Sequence, residues 1–201
     1  MNVFLNYDTG VIPAALIQIS EDLNLNHEEI AYLGSLVYLG LSAATFFGYY
    51  MFNKYKAKWV IALMVFLNSV WWLVFAMSSN LLVLYSVRFL VGFTQAFVVI
   101  YAPVWINEFS PAEANTRWMA GFHSAWVIGI LGGYIITQVI VNYFSYYTNW
   151  RLAIYIQGVC QLLLSIVACF VDNKNIDVNE QESDDTIQIL DPGIKSDNEH
   201  K

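Results

Sequence analysis

The sequence predicts an all-α membrane protein with six transmembrane helices, and three observations carry that reading. Hydrophobic residues make up 58% of the 201 and charged residues 12%, where a globular domain holds about 25% charged residues. Mean hydropathy is +0.50. Six apolar stretches recur along the chain, most of them near the ~20 residues that cross ~30 Å of hydrocarbon. Lipid admits only helices or a closed barrel, because nothing else satisfies the backbone there. Barrel strands would alternate at period two, whereas WVIALMVFLNSVWWLVFAM is apolar at nearly every position, so helices are expected.

The first stretch, Val3–Ile19, is the weakest, since it holds Asn6, Asp8 and Pro13. About 17 residues reach only ~26 Å. Either protein and water line this helix, or a longer helix starts upstream. The second, Ala31–Phe52, carries Gly34 and Gly40. The third is Trp59–Met77. The fourth, Leu81–Ile106, holds Arg88 and Pro103, and the fifth, Trp118–Val141, holds Gly129, Gly132 and Gly133. The sixth, Leu152–Val171, holds Cys160 and Cys169. Nine helical residues turn the chain about 900°, which sets those thiols on opposite faces, unable to bridge within the helix. Trp59, Trp118 and Trp150 each open a span, where indoles favour the membrane interface.

Charge sets the expected orientation. Lys54, Lys56 and Lys58 crowd one loop and Arg117 another, while SEDLNLNHEEI has four acids and no Lys or Arg. The positive-inside rule puts the lysine loop, and with six spans both termini, in the cytoplasm. The net charge of -7 comes mostly from nine acids and three lysines after Val171. It does not signal a basic or nucleic-acid partner. The chain therefore divides into a six-helix membrane domain over 1–171 and an acidic tail over 172–201, whose composition predicts disorder and a cytoplasmic position.

Laid on one another, spans one to three and four to six share features. Pro13 and Pro103 fall late in spans one and four, spaced glycines mark spans two and five, and spans three and six open after a Trp. Inverted three-helix repeats of this kind build many transporters.

Several motifs extend this. GYYMFNKYKAK, Gly48 to Lys58, resembles the major facilitator superfamily's loop motif, with Asn53 in place of its acid and one extra residue. RFLVGFTQAF resembles that superfamily's fourth-helix motif through Arg88 and Gly92, and GILGGY and NWRLAIYIQG fit its fifth and sixth helices. Asn6-Tyr7-Asp8 together with RFLVGF resembles the spinster-like branch, with Thr9 replacing an arginine and Gln95 an acid. The resemblance implies the superfamily's N-terminal six-helix half, a 3+3 inverted repeat. It also implies a second half, supplied by further sequence, a partner or a homo-oligomer. It implies spans two and five facing that half, and a cytoplasmic gate in which Lys54, Lys56 and Lys58 pair with Glu108. The chain is then half of a secondary transporter for a small amphipathic organic solute, with proton coupling. The alternative is a truncated or regulatory half that assembles with a full transporter without transporting.

Intramembrane charge is costly and marks function by default. Asp8 lies roughly 17 Å and Arg88 about 12 Å below the outer surface by helical rise, so the two can meet. Protonating Asp8 would release Arg88, a switch; the alternative is a purely structural pair. Gln95, His123 and Tyr7 complete the expected proton and solute path, with Asn68, Gln138, Tyr38, Phe93 and Tyr101 as further cavity candidates or packing groups. Gly34, Gly40, Gly92, Gly129, Gly132 and Gly133 permit close helix approach. No HExxH, P-loop or nucleophile elbow occurs, so neither an enzyme nor a cofactor or metal is expected.

Overall fold

A computed structural model describes residues 2–143 and 149–170. The expected tail, 172–201, and the side chain of Cys169 lie outside the described residues; Cys160 is a free thiol. Among the described residues the helices are α1 (Asn2–Leu5), α2 (Tyr7–Leu23), α3 (His27–Lys54), α4 (Ala57–Met77), α5 (Leu81–Phe109), α6 (Asn115–Tyr143) and α7 (Asn149–Phe170). Five of them, α3 to α7, are long and apolar enough to cross a membrane. The first apolar stretch is instead split at Asn6 into α1 and α2.

Boundaries follow local chemistry. α2 stops where Asn24 turns left-handed at φ 51°, a conformation asparagine tolerates better than most residues. α3 starts beside the Asn26 N–H, which donates to Glu29 Oε2 at 2.7 Å, as in a capping box. At the head of α5 the Asn80 side chain accepts from the Leu82 N–H at 3.0 Å, satisfying an orphan donor of the first turn.

The helices pack in pairs: α3 on α5, α4 on α7, and α2 on α6, with α4 also against α5. Glycines let two of these pairs close to backbone contact. A Cβ on Gly10 would strike the Ile130 carbonyl, and one on Gly133 the Tyr7 carbonyl. In the α3–α5 pair, a Cβ on Gly40 would strike the Phe89 carbonyl, and one on Gly92 the Val37 carbonyl. The two crossings are built alike. One step along the chain takes Tyr7 and Gly10 to Phe89 and Gly92, and a second takes Val37 and Gly40 to Ile130 and Gly133. By the first step Pro13 corresponds to Gln95, so the two prolines are not equivalent positions.

The close helix approach expected of the glycines occurs at four of the six positions, Gly40, Gly92, Gly129 and Gly133. Gly129 sits against the Val3 carbonyl, so it too is used inside the bundle. Gly34 and Gly132 meet nothing within 4 Å, so they pack on nothing among the described residues.

In lipid, helices associate through close van der Waals contact, which only small residues allow here. Gly92→Val or Gly40→Val should therefore cost at least the ~1–3 kcal/mol of overpacking. Gly34→Ala should change stability little. Thermal unfolding in detergent checks this, and equal midpoints for Gly92→Val and Gly34→Ala would contradict it.

Candidate functional site

Arg88 sits two turns into α5, where its side chain meets three other helices. Nε donates to the Leu33 carbonyl of α3 at 3.1 Å. The guanidinium lies over the Trp72 and Phe75 rings of α4, at 5.5 and 5.7 Å from their centroids. Nη1 stands 3.8 Å from Asp8 Oδ2 of α2. Asp8 and Arg88 are 2% and 4% exposed, so this is a buried ion pair. It is too long for a hydrogen bond, and both Arg88 Nη1 and Asp8 Oδ1 lack a hydrogen-bond partner.

The pair faces a cavity of about 690 Å³ bounded by α2, α3, α5 and α6. Gln95, His123, Tyr38, Thr9 and Ser35 line it beside Asp8 and Arg88, among apolar groups such as Ile12, Val99 and Trp126. Most of the expected path residues thus come together: Asp8, Arg88, Gln95 and His123 line one cavity. Tyr7 does not. Consecutive helical residues point about 100° apart, and Tyr7 turns from the cavity into the core with Val11 and Ile154.

The other candidates divide. Asn68 donates to the Val91 carbonyl and Thr94 Oγ1 at 3.0 and 2.9 Å, and Gln138 donates to the Ala14 carbonyl at 3.0 Å. Both join helices away from the cavity. Phe93 packs on Phe97 and Tyr101 on Phe52. At the end of the bundle holding the α3–α4 connection, Lys54 Nζ reaches Tyr50 Oη at 3.4 Å. Lys58 is buried in the first turn of α4 over the Trp59 ring, while Lys56, Glu108 and Arg117 are exposed. Gly48 faces the Ile100 side chain, 3.2 Å from where a Cβ would sit.

Three features escaped the sequence reading. The split at Asn6 exposes carbonyls of α1, and glutamines from two helices meet them: Gln95 Nε2 donates to Leu5 O at 2.7 Å and Gln157 Nε2 to Phe4 O at 3.4 Å. Gln161 Nε2 donates to Asn68 Oδ1 at 2.8 Å. Amides four residues apart on an apolar helix share a face, and that was the available signal. At the opposite end, Arg151 pairs with Asp22 at 3.2 Å and donates to the Ala76 carbonyl at 3.0 Å. Trp150 Nε1 also reaches Asp22 at 3.3 Å.

A bundle of helices apolar and long enough to cross a membrane, around a cavity bordered by a buried ion pair, defines a multi-pass integral membrane protein. Residues 1–194 match the family model of the Major Facilitator Superfamily, and the chain belongs to that superfamily. Among solved structures it is similar to one titled "Crystal structure of D-xylose-proton symporter", with a TM-score of 0.72 and 16% identity over 94% of this chain and 51% of that one. That likeness shows the fold, and the chain spans about half the symporter's length. No curated protein matches the chain.

Removing one partner of a buried pair strands the other charge, at about 3–5 kcal/mol. Arg88→Gln should therefore destabilise strongly, Asp8→Asn/Arg88→Gln less than Arg88→Gln alone, and the double-mutant cycle should be non-additive. Additive midpoints in chemical unfolding would mean that the pair carries no coupling energy.

Proposed function

We propose that this chain supplies one half of a proton-coupled secondary transporter for a small amphipathic organic solute. The observation that carries the proposal is the Asp8–Arg88 pair opening onto the cavity. A protonatable carboxylate facing a fixed cation can switch between paired and unpaired states. The mainly apolar lining with a few polar groups suits a solute with both kinds of surface. Fold similarity to a sugar–proton symporter supports the class.

The architecture in this reading has six spans, with α1 and α2 together forming the first. The like-built glycine crossings of α2–α6 and α3–α5 support a 3+3 inverted repeat. A second six-helix unit, covalent or associated, closes the cavity from the other side. Asn6-Tyr7-Asp8 and RFLVGF favour the spinster-like branch. Lys54, Lys56, Lys58, Glu108 and Arg117 gate the cytoplasmic end, with both termini on that side.

Two measurements test this. In the complete assembly, Asp8→Asn should abolish uptake driven by an imposed pH gradient while solute exchange survives, because asparagine mimics the protonated carboxyl. Wild-type gradient-driven uptake in Asp8→Asn would sink the proton assignment. For orientation, Lys56→Cys in a background lacking Cys160 and Cys169 should react with an impermeant maleimide only from the cytoplasmic face. Labelling from the outside alone would reverse the topology.

A further inference from the structure

The charge arithmetic of the cavity specifies the solute more narrowly. We infer that the transported solute is an organic monoanion, taken up with one proton, whose carboxylate or similar oxyanion replaces Asp8 as the partner of Arg88. This rests on the reading of Asp8 as the proton site, and adds to it the chemical class of the solute.

Asp8 is the only acid among the described residues lining the cavity. The other groups there that carry or can take a charge are Arg88 on α5, His123 on α6 and Tyr38 on α3. From α5, α6 and α7 the neutral amides Gln95, Gln138 and Gln157 also reach the first helix, and the Thr137 hydroxyl and the Cys160 thiol lie against Tyr7 on its core side, away from the cavity. While Asp8 is ionised, it and Arg88 cancel. When Asp8 takes a proton, Arg88 is left as an uncompensated cation between α3, α4 and α5. A charge in that setting is expensive, and arginine stays protonated because its ordinary pKa is too high to escape by losing a proton.

The guanidinium cannot turn to another acceptor cheaply. Its Nε is already committed to Leu33 O at 3.1 Å, and the group lies over the Trp72 and Phe75 rings of α4. Its Nη1 has no hydrogen-bond partner even while Asp8 is near. That donor points towards Asp8, which borders the same cavity. A planar oxyanion arriving through the cavity can accept from it, the pairing for which guanidinium geometry is suited. The protonated Asp8 then offers an O–H to the same anion in place of a repelling charge. A neutral solute would leave Arg88 uncompensated, and an ammonium would add a second positive charge beside it.

Charge then balances at each stage. One proton neutralises one carboxylate, and one monoanion neutralises the guanidinium released. The loaded site has the net charge of the empty one, so the cycle moves no net charge. Proton and solute each make the other's binding favourable, which is a coupling between sites in the thermodynamic sense. The apolar lining, with Trp126 and Phe122 on α6, receives the rest of the molecule.

Benzoate, benzamide and benzylamine share a ring and differ in charge, so they serve as probes. Binding is measured by calorimetry at about pH 5 and about pH 8, a window in which a free benzoic carboxyl stays mostly ionised, so that a change in affinity reports on the protein's own groups. The protein is in nanodiscs in its native assembly. Benzoate should bind about tenfold or more tightly at the lower pH, and Asp8→Asn should bind it tightly at both. Arg88→Gln should lose that binding, and Arg88→Lys should keep part of it. Wild-type benzoate uptake into proteoliposomes should follow the pH gradient and ignore an imposed potential. A low-pH preference for benzamide or benzylamine instead would overturn the anion assignment and leave proton coupling standing. Benzoate affinity that is absent, or unchanged between the two pH values in wild type, would overturn it too. Loss of pH-gradient-driven uptake for every solute would remove the proton reading as well.

Discussion

One guanidinium gathers this bundle. Arg88 stands on α5, bonds a carbonyl of α3, lies against two rings of α4 and faces a carboxylate of α2. Four helices therefore share one charge that is 4% exposed. A membrane-buried arginine must find partners within the bundle before the bundle is viable. The relative positions of α2, α3, α4 and α5 are constrained together by that requirement. The cavity is the side of the arginine that these helices leave open.

Close packing sets the second constraint. The hydrophobic effect does little to join helices in lipid, so contact area and backbone approach decide which pairs form. Gly10 and Gly133 seat α2 against α6, and Gly40 and Gly92 seat α3 against α5. Each crossing is reciprocal, a glycine on each helix receiving a carbonyl from the other. Tyr7 supplies one of those carbonyls and is the residue next to Asp8, so the crossing that joins α2 to α6 also fixes where the carboxylate points. Packing and site placement are the same problem at this level of the bundle.

Most of the helices were legible in the sequence, and so was the meeting of Asp8 with Arg88. Unbroken apolar runs have one reading in lipid, and stretches such as Trp59–Met77 and Leu81–Ile106 agree with α4 and α5 to within three residues at either end. Depth along a straight helix follows from rise per residue, so two charges on different spans could be matched by counting. Rotation is harder to count. Tyr7 and Asp8 are adjacent and equally buried, and only the placement of α6 and α7 decides that one faces the core and the other the cavity. The glycines show the same limit. A glycine announces that something comes close but not what. Gly40 and Gly34 read alike in the chain, yet one carries a helix crossing and the other touches nothing. The Arg151–Asp22 pair was invisible because each residue lies beyond the apolar run that drew attention.

The split at Asn6 shows why the weakest span is also the one holding the carboxylate. An uninterrupted helix would satisfy its own carbonyls, and Gln95 and Gln157 would then have no reason to point at Leu5 and Phe4. In lipid a broken turn is tolerated only where other groups re-satisfy the backbone, and here one glutamine does so from the cavity side and one from α7. Gln95 also reaches Asn6 Oδ1 at 3.2 Å, so the residue at the break is held from the same direction. The interruption places Asp8 in the first turn of α2, where the free N–H groups of a helix start favour a negative charge. A carboxylate so close to bulk apolar surroundings thus gains two stabilising influences, the helix end behind it and Arg88 before it. The polar break at Asn6 is consequently what a buried acid requires, and an unbroken helix through this position would have offered Asp8 only one of the two.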